Sequence, residues 1–132
     1  MPINSDQDIV VARHKGRVLA GEIGFSAVDA TLIATTISEL ARNIVSYAKK
    51  GEITLQTLRQ SRRKGILIIA SDTGPGILDI RLALRDGFST SGSLGLGLPG
   101  VRRLVDEFQI ASSPGQGTVV KATKWHPDPQ KE

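Results

Sequence analysis

The sequence predicts an α/β chain, helices packed against a sheet, and three observations carry that prediction. Two segments in the N-terminal half repeat apolar residues at helical spacing behind capping signals. A β-branched and apolar run, Ile66-Leu67-Ile68-Ile69-Ala70, has the composition of a buried strand. Two further strand-like segments flank the turn Ser113-Pro114-Gly115-Gln116-Gly117. A chain of 132 residues suffices for one domain that buries roughly two-thirds of its unfolded surface, with little room for a second. Residues 1–132 are therefore expected to form a single domain ending in a polar tail over 126–132.

Taken in order, residues 1–4 are expected to be loose or to form a short edge strand. Ser5-x-x-Asp8 reads as a capping box that opens a helix. The apolar face of that helix carries Ile9, Ala12, Gly16, Leu19 and Ile23, and Gly24 is its stop. His14 and Lys15 fall off the stripe, on a solvated face. Ser26-x-x-Asp29 is a second capping box. It begins the longest periodic segment, with Val28, Leu32, Ile33, Ile37, Leu40, Ile44, Val45 and Ala48 on one face and Gly51 closing it. At about 100° per residue, Glu39 and Asn43 lie together at the border of the stripe, where a helix can line a cleft. A hydrophilic helix edge gives the same pattern. Arg42 and Lys49 are expected to point away into solvent.

Residues 52–58 alternate Ile53 and Leu55 with Thr54 and Gln56, as in a half-buried strand, and Arg59–Gly65 is expected to make the turn. The run over 66–70 predicts a central strand, covered on both faces or packed tightly beneath helices. Asp72 falls just beyond its end, where α/β sheets commonly present ligand-binding groups. Leu78–Arg85 can form a short helix, and Asp86–Ser93 has the small, polar composition of a lid loop. Pro99 stands near the first position of another helix, continued by Val101, Leu104, Val105 and Phe108. Gln109–Ser112 and Thr118–Trp125 then make a hairpin.

Composition narrows the function classes. Apolar residues at 39% and charged residues at 23% are ordinary for a soluble globular chain. No stretch approaches the roughly 20 apolar residues of a membrane span, and no charged-then-apolar leader opens the sequence, so a cytoplasmic location is expected. Without cysteine, and with His14 and His126 as the sole histidines, thiolate and histidine-cluster metal sites are excluded. The net charge of +4 and pI near 9.8 invite a nucleic-acid reading, but the basic residues are poorly clustered. Arg62-Arg63-Lys64 sits at a turn, and aromatics at 4% supply few stacking platforms. An exposed basic surface, or a docking site for an acidic protein, accounts for the charge.

The stretch from Ser71 to Gly100 reads as a nucleotide cradle. Ser71-Asp72-Thr73-Gly74-Pro75-Gly76-Ile77 leaves the apolar run, and Gly95-Leu96-Gly97-Leu98-Pro99-Gly100 follows. Glycine lets a backbone approach a ligand closely. Gly95-x-Gly97-x-x-Gly100 spells the dinucleotide fingerprint, yet its context is wrong: a polar loop precedes it instead of a strand. A P-loop lacks its Gly-Lys-Ser or Gly-Lys-Thr, and the protein-kinase elements His-Arg-Asp and Asp-Phe-Gly are absent.

Four short motifs in order resemble the GHKL superfamily of ATPases and kinases, which includes gyrase, heat-shock chaperone, mismatch-repair and histidine-kinase ATP domains. Glu39-x-x-x-Asn43 looks like the N box, Asp72-x-Gly74-x-Gly76 the first glycine box, Gly95-x-Gly97 the second, and Gly117-Thr118 the final adenine-side pair. Each alone is weak; their joint occurrence on a long helix, after a strand, before a helix and at a hairpin is specific. Within that superfamily the chain is most similar to the small serine/threonine kinases of bacterial partner-switching systems, the stressosome switch kinases. Ser38-Glu39-Leu40-Ala41-Arg42-Asn43-Ile44, Asp86-Gly87-Phe88-Ser89-Thr90-Ser91-Gly92, Gly97-Leu98-Pro99-Gly100-Val101 and Asp106-Glu107-Phe108 carry that likeness, which runs from about residue 8 to Trp125. The departure is the N-terminus, where the family's opening strand is reduced to a few residues.

The resemblance implies the Bergerat ATP-binding fold, an α+β two-layer sandwich with a mixed sheet and helices on one face. It assigns Asp72 to the adenine amino group, a donor that a carboxylate accepts and that guanine replaces with an oxygen. Gly74 and Gly76, with Ile77 following, let the backbone pass against the base, and Thr118 adds a hydroxyl through water. Asn43 offers Mg²⁺ a neutral oxygen. Backbone N–H groups around Gly95, Leu96, Gly97 and Leu98, at a helix N-terminus, hold the phosphates of ATP, while Arg102 and Arg103 occupy solvated helix positions. Glu39 is the candidate general base. The implied substrate is a serine or threonine of a STAS-domain scaffold or antagonist protein, the implied second partner a metal-dependent phosphatase that the released kinase activates, and a homodimer is open. Two other readings stand beside this one: an anti-sigma factor kinase, and a catalytically silent nucleotide-sensing adaptor.

Overall fold

Residues 66–70 form the middle of the central strand, as their composition dictates, and the sheet is laid down on either side of it. The structure, a computed structural model, describes residues 1–74 and 97–126. Its elements in chain order are β1 (Pro2–Ile3), α1 (Asp6–Ile23), α2 (Ala27–Asn43), a π turn (Ile44–Ala48), β2 (Gly51–Gln60), β3 (Arg63–Asp72), α3 (Gly97–Leu104), β4 (Glu107–Ser113) and β5 (Gly117–Trp125). The expected helix Leu78–Arg85, the lid loop Asp86–Ser93, the site residues Gly76, Ile77, Gly95 and Leu96, and the tail after His126 lie outside the described residues.

The strand order is β1-β2-β3-β5-β4. Each described pairing is antiparallel, where a mixed sheet is expected. The reason is local: β2–β3 and β4–β5 are hairpins, and a tight hairpin can join antiparallel strands alone. The first residues form the edge of the sheet. Pro2 and Ile3 pair with Glu52 and Gly51, and the Met1 carbonyl accepts the Ile53 N–H at 2.9 Å.

Along β3, Ile66, Ile68 and Ala70 are buried while Leu67 and Ile69 are half-buried, so of the two expected arrangements the sheet lies beneath helices on one face. The core joins Ile9 and Ala12 of α1, Ile33, Ile37 and Leu40 of α2 and Val101 of α3 to Ile53, Ile66, Ile68, Val120 and Ala122 of the sheet. Each such Ile, Leu or Val contributes about 1.5–3 kcal/mol on burial. This packing fixes α2 against the sheet and brings α3 onto α2.

The helix ends depart from expectation in instructive ways. Ser5 makes no side-chain cap on α1; the Asp8 carboxylate instead accepts the Asn4 N–H at 2.8 Å, one residue earlier than a capping box requires. Gly24 does stop α1, left-handed at φ 109° with its N–H on the Ala20 carbonyl. At α2 the serine half of the box forms, Ser26 Oγ accepting the Asp29 N–H at 3.1 Å. Val28 is 71% exposed, because five residues before Ile33 it stands about 140° round the helix; Ala30 and Ala34 take the inner face. The α-helix ends at Asn43, not near Ala48. Ile44–Ala48 is a π turn ending in Lys49 at φ 71°, and Gly51 opens β2 instead of closing the helix.

Three strand boundaries also shift. The expected turn over Arg59–Gly65 contracts to Ser61 and Arg62, since Gln60 already pairs with Arg63. Arg63 is held in the strand with its guanidinium 4.2 Å from the Trp125 ring centre, a cation–π contact. Phe108 belongs to β4, not to α3, which stops at Leu104 where Lys124 Nζ donates to the Leu104 carbonyl at 3.2 Å. His126 is anchored rather than part of a loose tail. Its N–H donates to the Lys64 carbonyl at 2.7 Å, its Nε2 lies 2.8 Å from the Gly24 carbonyl oxygen, and its ring packs on Phe25.

Candidate functional site

The described residues of the predicted site fall on three neighbouring pieces of backbone. Asp72 is the last residue of β3, not one beyond it, and pairs with Gly51 on one side and Thr118 on the other. Its Oδ1 accepts the Gly74 N–H at 2.9 Å, a tight turn in which the carboxylate shapes the departing chain. Its other oxygen accepts no hydrogen bond from a described residue. Thr118 follows Gly117, the first residue of β5, whose φ is 88° and whose absent Cβ would collide with the Asp72 carbonyl. Only glycine fits there, and the fit is what brings Thr118 up to Asp72.

The Thr118 hydroxyl has a partner that sequence reasoning missed. Ser112 Oγ lies 2.8 Å from Thr118 Oγ1 and donates to the Gly117 carbonyl at 3.0 Å. Either hydroxyl can donate in this pair, and the contact fixes the direction of the Thr118 side chain. The signal was available: in a hairpin closed by residues 113–117, positions 112 and 118 face each other.

Glu39 and Asn43 occupy the last turn of α2. Glu39 is more deeply placed than the stripe border suggests, 7% exposed, whereas Asn43 is half-buried. Arg42 does not point away into solvent. Its Nη1 donates to Glu39 Oε1 at 2.7 Å, because residues three apart on a helix are neighbours and a buried carboxylate is costly without a partner. Lys49 is exposed, as expected. The Asn43 side chain makes no capping hydrogen bond to the π turn.

The π turn links these two halves. A Cβ on Gly74 would lie 2.6 Å from Ala48 Cβ, so the chain leaving Asp72 runs tight against the end of the turn that begins after Asn43. π turns inside helices frequently mark functional sites, and nothing in the periodicity over 44–48 distinguishes one from a continued α-helix. The third piece is α3. Leu98, Pro99 and Gly100 are buried, and this helix packs on α2 with Arg102 and Arg103 exposed. Gly97 is its first described residue; N–H groups at such an end favour anions.

On the helical layer a cavity of about 620 Å³ opens between α1 and α2, lined by Val10, Arg13, His14, Arg17, Ala34, Thr35 and Ser38. Among the described residues, none of those expected to hold the nucleotide borders it. Its rim is basic, and Ser38 is the chain neighbour of Glu39. No helix described is long and apolar enough to cross a membrane.

Comparison with known proteins bears on the family and the fold. Over 93% of the chain and 92% of the relative, the sequence is 55% identical to the serine/threonine-protein kinase RsbT of Bacillus subtilis (strain 168). It is 28% identical, over 93% of the chain and 89% of the relative, to an anti-sigma F factor of Caldanaerobacter subterraneus subsp. tengcongensis. Among solved structures, a mycobacterial sensor histidine kinase, MprB, superposes with a TM-score of 0.58 at 16% identity, covering 95% of this chain and 96% of that one. The catalytic domain of the histidine kinase ThkA does so at 0.56 and 17%, covering 100% and 98%; these two likenesses speak for the fold. Residues 28–128 match the family described as histidine kinase-, DNA gyrase B-, and HSP90-like ATPase, and the chain belongs to that family.

Proposed function

We propose that this chain is an ATP-dependent protein serine/threonine kinase, the switch of a cytoplasmic, stressosome-type partner-switching pathway in a bacterium. It transfers the γ-phosphoryl group of ATP to a serine or threonine hydroxyl of a STAS-domain scaffold or antagonist protein. The observation that carries this reading is the 55% identity, over 93% of the chain, with a relative described as a serine/threonine-protein kinase.

The adenine half-site is Asp72 with Thr118. The free carboxylate oxygen of Asp72 accepts an N–H of the adenine amino group, and Thr118, oriented by Ser112, accepts through water. Gly74, Gly76 and Ile77 let the backbone pass beside the base. The N–H groups of Gly97 and Leu98, in the first turn of α3, suit the phosphates, and the sequence motif adds those of Gly95 and Leu96. Asn43 suits Mg²⁺, which takes oxygen ligands and is commonly shared with substrate phosphates. When bound, that ion neutralises charge on the β- and γ-phosphate oxygens.

Glu39 then acts as general base. Its Oε2 removes the proton of the incoming hydroxyl, the oxygen attacks the γ-phosphorus, and the bond to the β-bridging oxygen breaks to release ADP. A protein must supply that hydroxyl. The basic cavity between α1 and α2, one residue from Glu39 along the chain, suits an acidic segment of such a protein. Phosphate added to the scaffold weakens the kinase's hold by placing a new charge, costly to desolvate, at the interface beside Glu39, and the released kinase engages and activates a metal-dependent phosphatase.

Incubating the protein with γ-labelled ATP, Mg²⁺ and STAS-domain proteins tests the reading. Labelled phosphoserine or phosphothreonine is the expected product, and ATP binding without transfer would replace the kinase by a nucleotide-sensing adaptor. The 28% identity to an anti-sigma F factor favours one second reading, an anti-sigma factor kinase, for which co-purification with a sigma subunit is the mark.

A further inference from the structure

We infer that Arg42 is a positioning residue for phosphoryl transfer, acting through the Glu39 carboxylate; this rests on the reading of Glu39 as the base. The contact is one-sided. Arg42 Nη1 meets Glu39 Oε1 at 2.7 Å, and Oε2 carries no hydrogen bond to a described residue. A pair formed only for stability gains most from a bidentate fork that occupies both oxygens. Here one oxygen is clamped and the other is left for a proton.

The neighbouring hydroxyls cannot do this work. Ser38 Oγ donates to the Ala34 carbonyl and Thr36 Oγ1 to the Leu32 carbonyl, both at 2.9 Å. Among the described residues, Arg42 is therefore the one hydrogen-bond partner that orients the Glu39 carboxylate within its packed surroundings. The guanidinium sits at the rim, with 40% of its side chain exposed against 9% for Glu39. It neutralises the carboxylate from its more exposed position and contacts only one of the two oxygens. Arg42 also precedes Asn43, the last residue before the π turn, so the clamp fixes the carboxylate relative to the backbone that presents the proposed metal ligand. A base misplaced by about 1 Å can lose on the order of 10²-fold in rate, which is the scale of effect the clamp controls.

The test is a mutant cycle on the full chain, with ATP, Mg²⁺ and the STAS-domain substrate of the transfer assay, reading kcat, the KM for ATP and the melting temperature. Arg42→Gln is expected to lower kcat about 10- to 100-fold with the KM for ATP unchanged. Arg42→Lys, which restores a cation without the planar fork, should recover part of the loss. Arg42→Gln placed on Glu39→Gln should lower the rate no further, because the clamp then has nothing to position. Normal kcat in Arg42→Gln beside a dead Glu39→Gln overturns the role of Arg42 alone. So does a full additive loss in the double variant, or a loss that tracks a fallen melting temperature and is not recovered by lysine. A Glu39→Gln protein that transfers at the normal rate overturns the base itself, and the proposal with it.

Discussion

Asp72 and Thr118 are direct partners across the β3–β5 ladder, held there by a glycine whose missing side chain leaves room for the Asp72 carbonyl. A carboxylate and a hydroxyl are thereby presented side by side at one end of the central strands. One carboxylate oxygen is engaged by the Gly74 N–H and the other is free to accept. Asp72→Asn keeps the size and the turn but turns an NH₂ group toward the adenine amino group, donor against donor. Loss of a hydrogen bond to a charged group is worth about 1.5–3 kcal/mol, so ATP affinity measured by calorimetry should fall roughly 10- to 150-fold. Unchanged binding would remove Asp72 from the adenine site.

Gly117 carries a separate prediction. Alanine there meets two penalties, the left-handed φ of 88° and the collision with the Asp72 carbonyl, whereas Gly115 at φ 78° has nothing within 4 Å of its missing Cβ. Gly115→Ala measures the conformational penalty alone. Gly117→Ala should therefore cost more, about 1–3 kcal/mol in total, and lower the melting temperature by about 3–15 °C. It should also weaken ATP binding, because Thr118 moves with it. Equal melting temperatures for the two variants would mean that the close approach at Asp72 is not a constraint.

Much of this site was legible before any coordinates. Asp72 could be placed because a continuous β-branched run announces a buried strand and the residue at its end cannot continue into the core. Glu39 and Asn43 could be paired because four residues is about one helical turn. Periodicity could not reveal that α2 changes to a π turn at Ile44, since the apolar spacing over 44–48 suits either helix and only the backbone hydrogen bonds differ. Nor could it show that Arg42 folds back. A helical wheel gives the direction of a Cβ, and a long flexible side chain can travel from there to whichever buried charge lacks a partner. The mixed sheet came from family likeness; hairpin connections overrule it among the described strands.

Glu39→Gln separates chemistry from binding. Glutamine preserves the shape and can still accept from Arg42, but it cannot take a proton at neutral pH. A positioned base contributes about 10²–10⁴-fold, so kcat for phosphoryl transfer should fall by that factor while the calorimetric affinity for ATP changes less than about threefold. A parallel fall in affinity would place Glu39 in nucleotide binding, and an unaltered kcat would leave the reaction without its base.

The cavity between α1 and α2 makes the last prediction, because it distinguishes a kinase that docks its protein substrate from one that meets only a hydroxyl. Arg13, His14 and Arg17 stand exposed on α1 along one side, with Ala34, Thr35 and Ser38 of α2 on the other. Arg13 and Arg17 are one helical turn apart and lie on one face, so together they present a compact positive field to an acidic segment. Reversing both, Arg13→Glu with Arg17→Glu, should raise the KM for the protein substrate at least tenfold and make the remaining association less sensitive to salt. ATP affinity and the melting temperature should stay close to those of the unaltered protein, since both side chains are outside the core and the nucleotide site. The discriminating measurement is the KM for the protein substrate at low and at high ionic strength. If reversal leaves it unchanged at both, substrate recognition lies on another surface and the basic rim is merely a solvated face.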